Sequence, residues 1–116
     1  MVDRNPLLTE ILKAASDPTR RDILTRLAQH GPTRVTEIAA QFDISLNAVS
    51  KHIKVLQEAG LVSRHTIWRD QFIELQLAPL AEIDGWFAQL RSIWDLRLER
   101  LDSIVTKDQS DDRSND

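Results

Sequence analysis

Two short amphipathic patterns meet at one break in the stretch from Thr36 to Leu61, TEIAAQFDISLNAVSKHIKVLQEAGL. Around the first, Val35, Ile38, Ala39 and Phe42 form one stripe; in the second, Val49, Ile53 and Leu56 fall at i, i+4 and i+7. This spacing predicts two helices joined by a turn at Asp43-Ile44. Ser45 stands where a side-chain oxygen accepts from the free N–H groups of a new helix. Gly60 follows as the left-handed residue past its end, and Leu61 is placed to pack back across the cap as in a Schellman motif. The core stripe of the second helix leaves Leu46, Asn47, Ser50, Lys51 and Lys54 facing outward.

The flanking sequence supplies the remaining elements. A first helix is expected from Pro6 to Ala15, with Leu7, Leu8, Ile11, Leu12 and Ala15 at helical spacing. Ser16 or Asp17 caps a second, which begins with Pro18, buries Ile23, Leu24, Leu27 and Ala28, and stops at Gly31-Pro32. Thr33 is the expected cap of the third helix. After Leu61 come two extended runs, Leu61 to Trp68 and Phe72 to Leu77, around a polar tip at Arg69-Asp70-Gln71. In the second run Ile73, Leu75 and Leu77 alternate with Phe72, Glu74 and Gln76, so the pair reads as a hairpin. Trp68 beside the tip either packs on the base of the hairpin or lies exposed against a sugar-phosphate edge.

A long fifth helix, about Leu80 to Val105, carries an apolar stripe that includes Trp86, Leu90, Trp94, Leu98 and Leu101. The stripe is wider than one small domain can cover, and a symmetric second copy is the simplest way to bury it. The fold class expected is therefore mainly α with a small β-hairpin, a winged helix-turn-helix of about five helices and a two-stranded wing. One domain spans 1–106, with the helix-turn-helix at 35–60, the wing at 61–77 and a dimerisation helix at 80–105. Residues 107–116 carry no apolar side chain and are expected to be a disordered acidic tail.

In such a fold the fourth helix enters a DNA major groove with its N-terminal end first. Asn47 can donate and accept at base edges, and Ser50 is a small adaptable partner. Lys51 reaches a guanine O6 or a phosphate, Leu46 a thymine methyl group, and Lys54 a phosphate. Arg64 and Arg69 flank the wing, where they meet phosphates or a narrow minor groove. His52 either projects to the groove edge or is partly buried against the turn.

A net charge of −3 at first argues against a nucleic-acid partner, but its distribution does not. From Ser45 to Arg69 four basic residues, Lys51, Lys54, Arg64 and Arg69, stand against Glu58 alone. From Pro79 onward nine acidic residues outnumber five basic ones, so the positive charge is concentrated in the reading head. The chain has no cysteine, which excludes disulfides and thiolate metal sites. There is no Gly-rich phosphate loop, nucleophile–base pattern or paired-carboxylate motif, so an enzyme is not expected. No apolar run is long enough to span a bilayer, and MVDRNPLLTE lacks the layout of a signal peptide. A cytoplasmic protein is expected.

The segment SDPTRRDILTRLA at 16–28, followed by VTEIAAQFDISLNAVSKHIKVLQEAGLV at 35–62, resembles the ArsR family of bacterial winged-helix repressors. WFAQLRSIWDLRLERLD at 86–102 is similar to a branch of that family with a tryptophan-rich last helix. The resemblance implies a homodimer formed by the first and last helices, with Leu8 and Ile11 joining Trp86, Leu90, Trp94, Leu98 and Leu101 at its interface. It also implies repression by binding an inverted-repeat operator, with base-reading positions at Leu46, Asn47, Ser50 and Lys51. Two departures stand out: Leu46 replaces a commoner Gln or Ser, and the wing tip Ile67-Trp68-Arg69-Asp70 has no Gly. One family metal site uses cysteines, which are absent here; the other needs histidines in the last helix, where Asp84 stands and no histidine follows His65. The expectation is a metal-free, cofactor-free DNA-binding repressor whose small-molecule or protein effector is unknown. The alternative is a winged helix that docks a protein partner through the same face.

Overall fold

The structure, a computed structural model, describes residues 5–111; within its last helix the side chains of residues 103 and 105–111 fall outside that description. Helix α1 (Pro6–Ala15) starts where the Asn5 side chain accepts from the Leu8 N–H at 3.1 Å. Asp17 does the same for α2 (Pro18–His30), accepting from the Arg20 N–H at 3.0 Å with Pro18 in the first turn. That backbone hydrogen bond is the chief reason the Asp17 carboxyl is held below its ordinary pKa; the nearby Arg20 charge adds to it. Gly31, at φ 78°, ends α2.

A two-residue strand β1 (Thr33–Arg34) precedes α3 (Val35–Phe42). Thr33 is therefore not the cap of α3. Its backbone pairs with Ile73, its hydroxyl donates to the Gly31 carbonyl at 2.9 Å, and the N-cap position falls to Arg34, which has no acceptor oxygen to offer. Asp43 turns the chain at φ 51°, a left-handed conformation that a short polar side chain tolerates. After α4 (Leu46–Glu58) come β2 (Val62–Ile67) and β3 (Asp70–Leu75). The sheet is antiparallel in the order β1-β3-β2, so the expected two-stranded wing gains a short third strand. Ile67 pairs with Asp70, which makes Trp68-Arg69 the hairpin loop and moves Asp70 and Gln71 out of the expected tip into β3.

The chain divides into two compact units, the first ending at Ile83 and the second starting at Asp84. In the first, Ile11, Ile23, Val49, Ile53, Leu56, Leu61 and Ile73 form a core from which solvent is excluded, with Leu80 and Ile83 packed against it. Each such aliphatic side chain contributes about 1.5–3 kcal/mol on burial. Ile11 was expected at a dimer interface, but it is fully buried in this core and has no surface to offer. The exposed apolar residues of α1 are Leu7 and Leu12, while Leu8 is half-buried. Ala28 is exposed rather than on the buried face of α2.

The end of α4 is closed by a Schellman motif. Gly60 (φ 76°) donates to the Gln57 carbonyl and Leu61 to the Leu56 carbonyl, both at 3.0 Å. The Leu61 carbonyl then accepts from the Gln76 N–H at 2.8 Å, and its side chain is fully buried. An added Cβ on Gly60 would meet Pro79 Cγ at 3.4 Å, an ordinary contact, so the cost of a side chain there is the backbone conformation itself. Gly60→Ala is expected to cost about 1 kcal/mol and to lower the unfolding midpoint by roughly 4–8 °C. Thermal denaturation followed by circular dichroism checks this; an unchanged midpoint would show that the cap does not depend on glycine.

Helix α5 (Leu80–Asp111) runs six residues past the expected end at 105. Residues 107–111 of the expected tail are thus helical, and 112–116 lie outside the described residues. In the second unit nine large apolar side chains between Trp86 and Ile104 are exposed, among them Trp94 at 59% and Leu98 at 39%. The Trp86 and Phe87 rings stack with centroids 5.3 Å apart. Among the described residues no helix is long and apolar enough to cross a membrane.

Candidate nucleic-acid interface

The reading face of α4 is set by its opposite face. Val49, Ile53 and Leu56 are fully buried, which fixes the helix's rotation about its own axis. Its start is fixed by Ser45, whose hydroxyl oxygen accepts from the Ala48 N–H at 3.0 Å. Leu46, Asn47, Lys51 and Lys54 are consequently exposed, and Ser50 is half-buried. Among the described residues neither lysine is drawn into an ion pair.

His52 lies on the flank of α4 that faces α2. Its Nδ1 is 3.5 Å from Arg20 Nη1 and 4.0 Å from an Asp17 carboxylate oxygen. An unprotonated Nδ1 accepts from the guanidinium. Arg20 also donates through Nε to the Ala14 carbonyl at 2.7 Å and through Nη2 to that of Lys13 at 3.2 Å. One arginine thus caps the end of α1 and braces α4. Of the two positions open to His52, the partly buried one is occupied, though against the start of α2 rather than the turn.

The wing brings its arginines to the same side as the start of α4. Leu46 and Ser50 line an open cleft of about 340 Å³ together with Arg64 and Arg69. Thus four of the seven residues proposed for DNA contact share one concavity; Asn47, Lys51 and Lys54 lie on α4 outside its lining. Arg64 donates to the Gln71 side chain across the hairpin, which limits its rotamers. His65, on β2, is held within the hairpin: its Nε2 lies 3.0 Å from a Glu74 carboxylate oxygen and 3.0 Å from the Ser63 hydroxyl.

The cleft also holds residues that the periodicity did not single out. Arg34 and Gln71 are the principal ones, with Thr36 at the start of α3. Arg34 lies over the Phe72 ring (5.5 Å to its centroid), and its Nε is 3.5 Å from an Asp70 carboxylate oxygen. Its exposed ion pairs, including one with Glu37 at 3.8 Å, add little stability but keep Asp70 accompanied by positive charge. A two-residue strand is too short to show alternation, so Arg34 reads in the sequence only as a residue before a helix.

Trp68 is the most exposed large apolar side chain among the described residues, at 95%, and it sits at φ 59°. It does not pack on the base of the wing. As the first residue of a two-residue hairpin loop it occupies a left-handed position where glycine is favoured. For a bulky side chain that conformation costs about 1–2 kcal/mol.

Residues 15–65 match a family model described as a helix-turn-helix domain. The chain is similar to the transcriptional repressor SdpR of Bacillus subtilis, with 39% identity over 79 residues that span 68% of this chain and 87% of SdpR. Its fold is similar to that of an ArsR-like transcriptional regulator from Rhodococcus sp. RHA1, with a TM-score of 0.76 and 28% identity over 89% of this chain and 96% of that one. A homodimeric winged helix-turn-helix DNA-binding domain from Mycobacterium bovis, a possible ArsR-family regulator, gives a TM-score of 0.60 at 25% identity, covering 86% and 93%.

Proposed function

The chain belongs to the ArsR family of winged helix-turn-helix transcriptional regulators, and from that membership we propose that it is a dimeric, sequence-specific repressor of an inverted-repeat operator. The observation that carries this reading is the shared cleft, in which α4 and the wing present Leu46, Ser50, Arg64 and Arg69 toward one ligand surface. In the proposed complex Asn47, Ser50, Lys51 and Leu46 meet base edges in the major groove, while Lys54, Arg64 and Arg69 neutralise phosphates. Phosphate contacts hold the register; the base contacts choose the sequence.

The second copy is proposed to cover the exposed face of α5 at Trp86, Leu90, Trp94, Leu98 and Leu101, and Leu8 of α1 is proposed as a further contact with it. The homodimeric Mycobacterium bovis domain supports this part of the reading. Two copies related by a two-fold axis present two α4 helices to two half-sites, which is why an inverted repeat is the expected target. The trigger is proposed to be other than a metal bound at the family's known sites. The chain lacks cysteine, and among the described residues no three of His, Asp and Glu are grouped to hold an ion.

Binding is expected to be strongly salt-dependent. Neutralising six to ten phosphates makes affinity fall by about 10³–10⁵ between roughly 50 and 200 mM salt. Fluorescence anisotropy with a fragment of the protein's own promoter and with random DNA tests the proposal. Salt-insensitive binding of equal strength to both fragments would overturn it. Recovery of a protein partner from nuclease-treated extract, with no specific DNA binding, would point instead to a docking module.

A further inference from the structure

We infer that Trp68 is an apolar wedge that enters the DNA minor groove beside the major-groove site and partly unstacks one base step. The inference rests on the DNA-binding reading above and specifies what the wing does there. Three features of the tip support it.

The first is that the residue is both strained and exposed. An indole at φ 59° with 95% of its surface in water gains nothing from the fold, since glycine would take the same turn without steric conflict. A conformation sparsely populated by such a side chain, held by the surrounding hairpin, is a reason to look for a use outside the folded chain. Ile67, 53% exposed, extends the apolar tip next to it.

The second is the charge around it. Arg69 follows Trp68 directly, and Arg64 lies on the same hairpin. Cations beside an apolar tip suit the minor groove, where a narrow channel between two phosphate rows concentrates negative potential. The one acidic residue at the turn, Asp70, would oppose this, but it is paired with Arg34 at 3.5 Å. The third is delivery. Unstacking bases requires that the wedge be pushed by something stiff. Here the loop has only two residues, closed by the Ile67–Asp70 pair and braced by the Arg64–Gln71 hydrogen bond across the two strands. Because Arg69 shares a cleft with Leu46 and Ser50, seating α4 in the major groove carries the tip to the adjoining groove.

The test uses the full chain and a duplex selected by it from a random-sequence pool, with 2-aminopurine placed at successive flanking positions. The native chain should raise the probe's fluorescence at one flanking step. Trp68→Gly should lose that signal and bind about tenfold more weakly, with an unfolding midpoint equal to or above the native one. Trp68→Phe should retain most of both signal and affinity, as a smaller wedge. If Trp68→Gly binds as tightly as the native chain, or binds more weakly with the probe signal unchanged, the wedge is overturned while DNA binding stands. If no duplex is selected at all, both the wedge and the DNA-binding reading fall.

Discussion

Replacing Asn47 and Lys51 together by alanine is expected to weaken operator binding by about 10²–10³-fold. Both side chains are exposed on the face of α4 that the core leaves free, so they hold none of the buried stripe in place. Alanine is the best helix former, and the unfolding midpoint should therefore stay the same or rise slightly. A side chain that satisfies two base-edge groups is worth about 1–3 kcal/mol against the wrong base, and two losses of about 1.4–2 kcal/mol each, inside that range, give the stated factor. Binding to random DNA should fall much less, because the phosphate contacts proposed for Lys54, Arg64 and Arg69 are left in place. Anisotropy titrations of both duplexes at one salt concentration, together with sedimentation, separate these effects. A parallel loss on both duplexes would assign the pair to phosphate contact. No loss on either would move the reading face elsewhere.

The largest effect is expected at α5. Glutamate at both Leu90 and Trp94, one turn apart and 44% and 59% exposed, places two like charges in the apolar face proposed for the second copy. In a monomer these charges are solvated at little cost; in a dimer they are buried without partners. The variant should sediment as a monomer and the native chain as a dimer. Operator affinity should fall by roughly 10³-fold or more, because the second half-site is no longer bound at high effective concentration. A duplex carrying a single half-site should be bound equally by both proteins. A variant that still sediments as a dimer would mean that another surface joins the copies.

Readability from the sequence followed the range of the interaction. Asp17, Ser45 and Gly60 act within one turn of chain; Ser45 and Gly60 stand at the caps that spacing assigns to them, and of Ser16 and Asp17 it is Asp17 that caps α2. The stripe Val49, Ile53, Leu56 is likewise local, so the outward face of α4 followed from it. Thr33 and Arg34 behaved otherwise. Both look like the start of a helix until the distant Phe72 and Ile73 offer a strand to pair with. Ile11 is apolar at helical spacing whichever surface it meets, so periodicity could not distinguish the core from a second copy. The hairpin loop starts one residue and ends two residues before the expected tip, because its left-handed position carries Trp68 instead of the glycine that usually announces it.

Leu61 ties α4 to the wing: its N–H closes α4, its carbonyl holds the chain leaving β3, and its side chain is sealed in the core. Leu61 therefore acts as a rivet, and the two parts proposed to meet DNA form a ruler of fixed span. One extra base pair turns a flanking groove by about 35° relative to the box beside it, more than a riveted pair can follow. On the proposed base contacts, changing the target of this protein is accordingly a matter of exchanging the outward side chains at 46, 47, 50 and 51 while the ruler stays as it is.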